Sequence, residues 1–234
     1  MLVGSKVDYD ISNLYIPKDV KEDIKHQKSF NATLTIIVRD KDGKVIKKYK
    51  QKSHSPTANF IGLMLPLTWY NTTGNSWTFT TTSNTTFTYQ PTLKANGYGV
   101  AYPNNQNDYN TYIINIIVGS GSSSNPYNAY NLNAPISNGS GTGQLLYSSI
   151  STPTSITING SQAYFIISQS YANQSGETIT ISEVGIILNL QTENSISENI
   201  NTGQVLVWYD ALSSPISLSN GQSATIYYTF SVNA

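Results

Sequence analysis

The sequence contains no cysteine, little charge and no long apolar run. The absence of cysteine excludes disulfide bonds, thiolate catalysis and cysteine-ligated zinc. Only 11% of the 234 residues are charged, against about 25% in an ordinary soluble domain. The most apolar stretch, NFIGLMLPLTWY, is shorter than the roughly 18 residues of a membrane span and contains Pro66. The first residues lack the basic and apolar regions of a secretory signal, so we expect neither a signal peptide nor a transmembrane segment.

Uncharged polar and aromatic residues take the place of the missing charges, with 25 asparagines and 17 tyrosines. The net charge is zero, which gives no reason to expect nucleic acid as a partner. The charges are nevertheless separated along the chain. The first 52 residues carry 12 basic and seven acidic residues, a balance of +5, and the other 182 carry one basic and six acidic residues, a balance of −5.

This basic region has two interpretations. It is either the solvated surface of a helix or hairpin, or a segment that docks on an acidic partner, a membrane surface or a neighbouring copy. Residues 1–29 are predicted to form a short helix from Pro17 or an extended arm. The candidate interaction segment comprises the lysines of this arm: Lys6, Lys18, Lys21, Lys25 and Lys28.

Alternation of apolar and polar residues predicts that the rest of the chain is built from β-strands. Residues 30–38 follow a period of two, DKDG is typical of a turn, and KVIKKYK returns, so 30–50 is predicted to be a hairpin. A short buried helix is expected within 55–67, and the continuous apolar run at 111–119 indicates a buried strand. Further strands are predicted near residues 144–150, 154–159, 162–171, 178–190, 204–211 and 222–232.

Several short strands at this spacing favour an all-β fold, a Greek-key or jelly-roll-like β-sandwich with one or two short helices in the N-terminal region. The predicted organisation is an arm at 1–29 and a sandwich domain at 30–234, within which 68–110 is a possible insertion. A Gly/Ser/Asn-rich stretch of about 25 residues from Gly119 is expected to be a flexible surface loop.

Glu183 and Asp210 are the one acidic pair outside the N-terminal region that we consider for catalysis, because both fall on predicted strands. A glycosidase would need two carboxylates about 5–10 Å apart. The alternative role is structural. Asp210, at the end of a strand, is expected to accept backbone N–H bonds in the turn, with a metal or partner contact as a further option. Glu183, where the alternation breaks, is expected to bond free N–H groups at a bulge indicated by Gly185.

No other motif predicts catalysis or a cofactor. His26 and His54 lack the spacing of a zinc site, and no GxSxG motif accompanies them. GSGSSS at 119–124 lacks the lysine of a phosphate-binding loop, and DKDG at 40–43 lacks the third ligand of a calcium loop. The sequence therefore predicts a protein that is not an enzyme and holds no metal or cofactor.

Asn-x-Ser/Thr sequences, the acceptor motif of N-glycosylation, occur six times. Most fall at predicted turns or on the outward face of a strand, where a glycan would fit. The candidate acceptors are Asn31, Asn71, Asn84, Asn138, Asn159 and Asn173. Their use would make the chain a glycoprotein that faces the outside.

A series of motifs follows in a fixed order along the chain. VRDKDGKVIKKYKQKSHSPTANFIGLML combines a D-x-D-G turn, a Lys-rich strand and an apolar helix. IIVGSGSSSNPYNAYNLNAPI, GQLLYSS, ITISEVGIIL and VLVWYDALSSPISLSNGQSATIYYTFSV come after it. This series, over residues 30–70 and 111–234, resembles structural β-sandwich proteins from the particles of viruses that infect hyperthermophilic archaea, spindle-shaped or turreted.

The resemblance implies a role in the virion as a tail adaptor, turret or fibre base, which works by homo-oligomeric assembly with other virion proteins. Low charge and abundant Tyr, Thr and Asn would suit a thermostable surface exposed to hot acid, where carboxylates lose their charge. The alternative is a carbohydrate- or receptor-binding module that recognises a host-surface glycan. In that module, exposed Trp69, Trp77 or tyrosines of 98–130 would stack on sugar faces. No catalytic residue is implied.

Overall fold

The computed structural model describes residues 30–53, 55–62, 77–89, 102–103, 114–152, 155–193 and 200–233. Twelve strands lie in these ranges: β1 Phe30–Arg39, β2 Val45–Ser53, β3 Trp77–Thr80, β4 Thr86–Tyr89, β5 Tyr102–Pro103, β6 Ile114–Gly119, β7 Leu146–Tyr147, β8 Thr157–Asn159, β9 Gln162–Ala172, β10 Ile179–Glu193, β11 Ile200–Leu218 and β12 Ser223–Asn233. Residues 58–62 are helical, within the predicted helix, and Pro126–Asn128 form a 3-10 turn. The all-β class is confirmed. The predicted arm at 1–29 and most of 68–110 lie outside the described residues.

The strands build two antiparallel sheets and one separate hairpin. Sheet A has the order β2-β1-β12-β9-β7, and β8 also pairs with β9. Sheet B has the order β11-β10-β5, and β6 also pairs with β10. Strands β3 and β4 form the separate hairpin. The predicted 30–50 hairpin is β1 with β2, which extends three residues further, to Ser53.

The core lies between the inner faces of the two sheets. Alternate residues of β1 and β12 point inward as opposed pairs: Leu34 with Tyr228, Ile36 with Ile226, and Val38 with Ala224. Trp208 of sheet B packs edge-on against Phe230 of sheet A, with ring centroids 5.2 Å apart. The buried Tyr171 hydroxyl of β9 donates across the gap to the Ile116 carbonyl of β6 at 2.8 Å. The two sheets therefore form a β-sandwich.

Strands β9 to β12 form one long ribbon that is folded over on itself. β10 pairs with β11 in sheet B, while β9 pairs with β12 in sheet A, so the chain changes sheets at residues 173–178 and again at 219–222. Both crossings lie at the same end of the sandwich, because β9 ends where β12 begins and β10 begins where β11 ends. A paired ribbon wrapped across two packed sheets is the arrangement of a jelly roll.

Asn173 holds this corner together. Its side chain is fully buried, and its Nδ2 donates to the carbonyl oxygens of Glu177 and Leu218, both at 2.7 Å. Its Oδ1 accepts the backbone N–H of Ser175 at 3.0 Å. Its own backbone N–H donates to the carbonyl of Gln222 at 2.9 Å. One residue therefore satisfies backbone groups of both crossing segments in a place that water does not reach.

Strand β11 is longer than predicted, which changes the position of Asp210. The strand does not end near residue 211 but runs on to Leu218, with residues 212–215 bulging out of the ladder. Asp210 lies in the middle of the strand, opposite Val184. The expectation that Asp210 ends a strand and accepts N–H bonds in a turn is therefore wrong. The Ser-Ser-Pro sequence makes a bulge here instead of a turn.

The first part of the long Gly/Ser/Asn-rich stretch is a surface loop that packs against sheet B. Residues 120–136 lie on the outer face of sheet B, where Leu132 joins a second apolar cluster with Ile187, Leu206 and Tyr209. The centres of β10 and β11 are consequently buried on both faces. This explains why their sequences read as continuous apolar runs where a half-exposed strand would alternate.

Replacing Asn173 with alanine should destabilise the protein by about 2–3 kcal/mol, because buried carbonyl and N–H groups lose their partners. Asn220 provides a matched control, since it is exposed in the neighbouring crossing and accepts one bond, from the Gly176 N–H at 3.1 Å. Asn220→Ala should cost about 1 kcal/mol or less. Denaturant unfolding measures both free energies, and equal losses would show that Asn173 does not fix the corner.

Candidate functional site

The Asp210 carboxylate lies in the core between the two sheets and is 3% exposed. Its Oδ2 accepts hydrogen bonds from the Tyr228 hydroxyl at 2.9 Å and from Ser53 Oγ at 2.5 Å. Ser53 Oγ accepts in turn from the indole Nε1 of Trp208 at 2.5 Å. Burial raises the pKa of Tyr228, and the charge and hydrogen bond of Asp210 raise it further. These four side chains join β2, β11 and β12, so Asp210 stabilises the junction of the two sheets.

The Glu183 carboxylate is fully buried beneath the 120–136 loop. Three backbone N–H groups of the loop donate to it: Gly121 at 3.2 Å, Ala134 at 2.7 Å and Asn133 at 3.0 Å. The Tyr209 hydroxyl donates to Oε2 at 2.9 Å. Burial raises the pKa of Tyr209, and its hydrogen bond to Glu183 raises it further. Glu183 does bond free N–H groups, as predicted, but they come from the loop and not from the adjacent bulge.

The two buried carboxylates point to opposite faces of sheet B. Asp210 pairs with Val184, and cross-strand partners share a face while sequence neighbours point to opposite faces. Glu183 therefore points away from Asp210, with the sheet between them. The two-carboxylate centre that a glycosidase needs is not formed by this pair.

The described residues also bring no metal-binding cluster together. Among them, no group of three or more His, Asp or Glu side chains could hold a metal ion. The two histidines, His26 and His54, lie outside the described ranges.

Parts of three of the four sheet edges are covered by other described segments. The closing contacts along sheet B are backbone bonds from Thr57 to Val207 and from Thr82 to Gln204 on β11, and from Ile136 to Val118 on β6. At one edge of sheet A, β9 is covered by the short strands β7 and β8. Closing an edge in this way removes unpaired backbone groups that would otherwise pair with another chain.

Strand β2 is a long edge that no other described strand covers. It spans nine residues and pairs with β1 on one side, and no described strand lies on its other side. Its half-buried residues Tyr49 and Gln51 face the sandwich, and both side chains accept the Ser213 N–H of the β11 bulge, at 2.9 and 3.2 Å. The inner face of β2 is thus fixed to sheet B while its outer edge is free of described partners.

Lys48, Lys50 and Lys52 alternate with these anchored residues and are exposed on the outer face of β2. We call these three residues the lysine row. Lysines on an edge strand also serve to prevent uncontrolled strand pairing. The candidate interaction lysines Lys6, Lys18, Lys21, Lys25 and Lys28 lie outside the described residues. The lysine row was not singled out from the sequence, although the spacing of two within KKYKQK on a predicted strand was a usable signal.

The six candidate glycosylation sites differ in access. Asn84, Asn138 and Asn159 are exposed, Asn31 is half-buried on the outer face of β1, and Asn71 lies outside the described residues. Asn173 is fully buried, and the Nδ2 that a glycan would modify donates to two carbonyl oxygens. Asn173 is therefore removed from the acceptors that the folded chain offers. The Asn-Gln-Ser motif lies in the segment that crosses between the sheets, and the motif alone does not indicate whether its asparagine is exposed or buried.

Tyr127 and Tyr130 are exposed on the 120–136 loop, at 60% and 39%. The loop beneath them is held by Glu183 and Tyr209, so both rings are carried on a fixed support. They fall within the tyrosines of 98–130 that the sequence suggested as a sugar platform. Trp69 lies outside the described residues, and Trp77 begins β3.

Replacing Glu183 with glutamine should destabilise the protein by about 3 kcal/mol, because an amide nitrogen would face backbone donors in a buried site. The 120–136 loop should exchange its amide protons faster, since its anchor is weakened. The control is Glu177→Gln, an exposed carboxylate that accepts one bond from the Gly143 N–H, with an expected cost of about 0.5 kcal/mol. Unfolding and hydrogen exchange measure both variants, and an unchanged loop in Glu183→Gln would contradict the anchoring role.

Comparisons with known protein families, with curated proteins and with solved structures find no match to this chain. The described residues contain no helix of the length and apolarity that crossing a membrane requires. Within the described residues, the features available to a partner include the open edge of β2, the exposed tyrosines of the 120–136 loop and the exposed glycosylation motifs.

Proposed function

We propose that this chain is a structural subunit of an archaeal virus particle, which acts by assembling with copies of itself and with other particle proteins. The observation that carries the proposal is the open edge of β2 with its lysine row. An open edge is a ready-made surface for pairing with another chain, and other described segments cover parts of the remaining sheet edges. The resemblance of the ordered motifs to archaeal virion proteins supports the particle as the place of assembly.

An exterior position, as a tail adaptor, turret or fibre base, is proposed from the character of the surface. Beyond residue 53 the chain has one basic and six acidic residues, and two of those acids, Glu183 and Asp210, are buried. A surface of amides and hydroxyls changes little in charge when the pH falls. Asn84, Asn138 and Asn159 are exposed glycosylation motifs, which supports a decorated outer face.

Removing residues 1–29 should abolish assembly and leave the sandwich folded. The described core begins with β1, so the free energy of unfolding should stay the same in the truncated chain. Native mass spectrometry should show a defined oligomer for the full chain and a monomer for the truncated one. Circular dichroism provides the control for folding.

Two outcomes would contradict this proposal at different points. A truncated chain that assembles like the full chain would remove the arm from the assembly. A full chain that stays monomeric at every concentration, and that does not join an oligomer when other particle proteins are added, would remove assembly itself.

The second candidate function, a carbohydrate- or receptor-binding module, is favoured by the exposed rings of Tyr127 and Tyr130. Rings on an anchored loop lose little conformational freedom when a sugar stacks on them, because the loop is already ordered. This function is compatible with assembly, since a tail component can both join a particle and bind a host-surface glycan.

Tyr127→Ala should weaken binding of a glycan by about tenfold if the ring stacks on a sugar face. Tyr127→Phe is the matched control, because it keeps the ring and removes only the hydroxyl. A glycan array followed by titration of the best ligand measures both variants. The binding function would be contradicted if the full chain bound no glycan, or if the two variants bound equally.

A further inference from the structure

The open edge of β2 fits an extended partner with a defined side-chain pattern. A segment that pairs with β2 would complete the backbone hydrogen bonding of sheet A. Residues at every second position of that segment would lie beside the lysine row. Val45 and Ile46, at the start of β2, are 50% and 48% exposed and add apolar surface to the same edge. A fitting segment therefore carries acids two residues apart, alternating with apolar residues.

Residues 7–12 of the same chain, VDYDIS, have this pattern. The acids Asp8 and Asp10 alternate with the apolar residues Val7, Tyr9 and Ile11. A period of two is typical of a strand with one charged face and one apolar face. The other acids before residue 30 fall in PKDVKEDIKH, which lacks this alternation. Residues 7–12 lie outside the described ranges, and the proposed function assigns the arm that contains them to assembly without naming its contact.

We propose that residues 7–12 of one copy bind as an added strand along β2 of a neighbouring copy, with Asp8 and Asp10 beside the lysine row. This inference rests on the proposed assembly function and names the contact through which assembly occurs. The lysine row also excludes the simplest competitor. Two β2 edges brought together would place like charges against each other, so an acidic strand is selected over a second β2.

The chain between the added strand and β1 is long enough for this exchange. Residues 13–29 form a linker of 17 residues, which reaches up to about 56 Å when extended at about 3.3 Å per residue. Strand β2, with nine residues, is about 30 Å long. The extended linker is therefore longer than strand β2, so it can place residues 7–12 at any point along that strand.

Disulfide trapping tests the contact directly, because the natural chain has no cysteine. Full-length Asp10→Cys is mixed with full-length Lys48→Cys, Lys50→Cys or Lys52→Cys and oxidised mildly. Directly opposite residues of paired strands come close enough for a disulfide. At least one of the three mixtures should give a covalent dimer of the two different chains on a non-reducing gel.

Ile11→Cys is the matched control for Asp10→Cys, since its side chain would point to the other face of the added strand. It should give several-fold less dimer with the same three partners. Lys44→Cys is the control for the three lysine positions of β2, since Lys44 is exposed but lies in the turn before that strand. Equal cross-linking by Asp10→Cys and Ile11→Cys, or no dimer with any of the three lysine positions, would overturn the proposal.

Charge reversal provides a second measurement that does not depend on disulfide geometry. Lys48→Glu with Lys50→Glu should weaken the oligomer, and Asp8→Lys with Asp10→Lys should do the same. One chain that carries all four changes should recover assembly, because the opposite charges face each other again. Failure of the combined chain to recover, while it remains folded, would overturn the pairing of these residues.

The outcomes separate this inference from the proposed function. An oligomer that forms without the cross-link removes residues 7–12 from the interface and leaves the assembly function standing. A further variant carries both Asp10→Cys and Lys50→Cys. If it forms only an internal disulfide and no dimer, residues 7–12 bind β2 of the same chain, and the proposed binding to a neighbouring copy is overturned. A full chain that is monomeric throughout removes the inference and the assembly function together.

Discussion

The sandwich depends on keeping its folded-over ribbon closed at the corner where two segments leave one sheet for the other. Backbone groups at such a crossing leave their ladders, and when buried they need other partners. The side-chain amide of Asn173 donates two hydrogen bonds there and accepts two, from the backbone N–H and the hydroxyl of Ser175. A slip of one residue would turn Tyr228 and Asp210 away from each other, because side chains alternate between the faces of a strand.

Two buried carboxylates likewise need hydrogen-bond partners within the protein, and each of them connects two layers of the structure. A buried charge is costly unless hydrogen bonds replace its water. Asp210 meets this condition between the sheets, and its donors lie on β2 and β12. Glu183 meets it on the outer face of sheet B, where its donors lie in the 120–136 loop and on β11. Each carboxylate joins a different pair of layers, and for this reason the two do not converge on a common site.

The sequence predicted the strands well, because period two is a local property that each strand carries in its own residues. The roles of individual polar residues depended on distant partners and were harder to predict. The loop groups that donate to Glu183 come from residues 49 to 62 positions away, and the hydroxyl of Ser53 lies 157 positions from Asp210. The NQS motif at Asn173 reads the same whether its amide is exposed or buried. The lysine row was within reach of sequence analysis, but the openness of its edge was not, because that depends on whether a distant segment of the chain pairs with β2 in the fold.

The way in which β2 is attached connects the core to the proposed assembly. Its inner side chains bond the β11 bulge, and Ser53 at its end bonds Asp210 in the core. A strand that paired with β2 would therefore be coupled to both sheets. A fixed edge also loses little conformational entropy on binding, so more of the interaction energy appears as affinity. Lysines on this edge disfavour a neutral or basic strand, whereas a strand with acids at every second position satisfies both the backbone and the charge. The attachment of β2 to the core and the charge of its exposed lysines together suit this strand to the proposed pairing with a neighbouring copy.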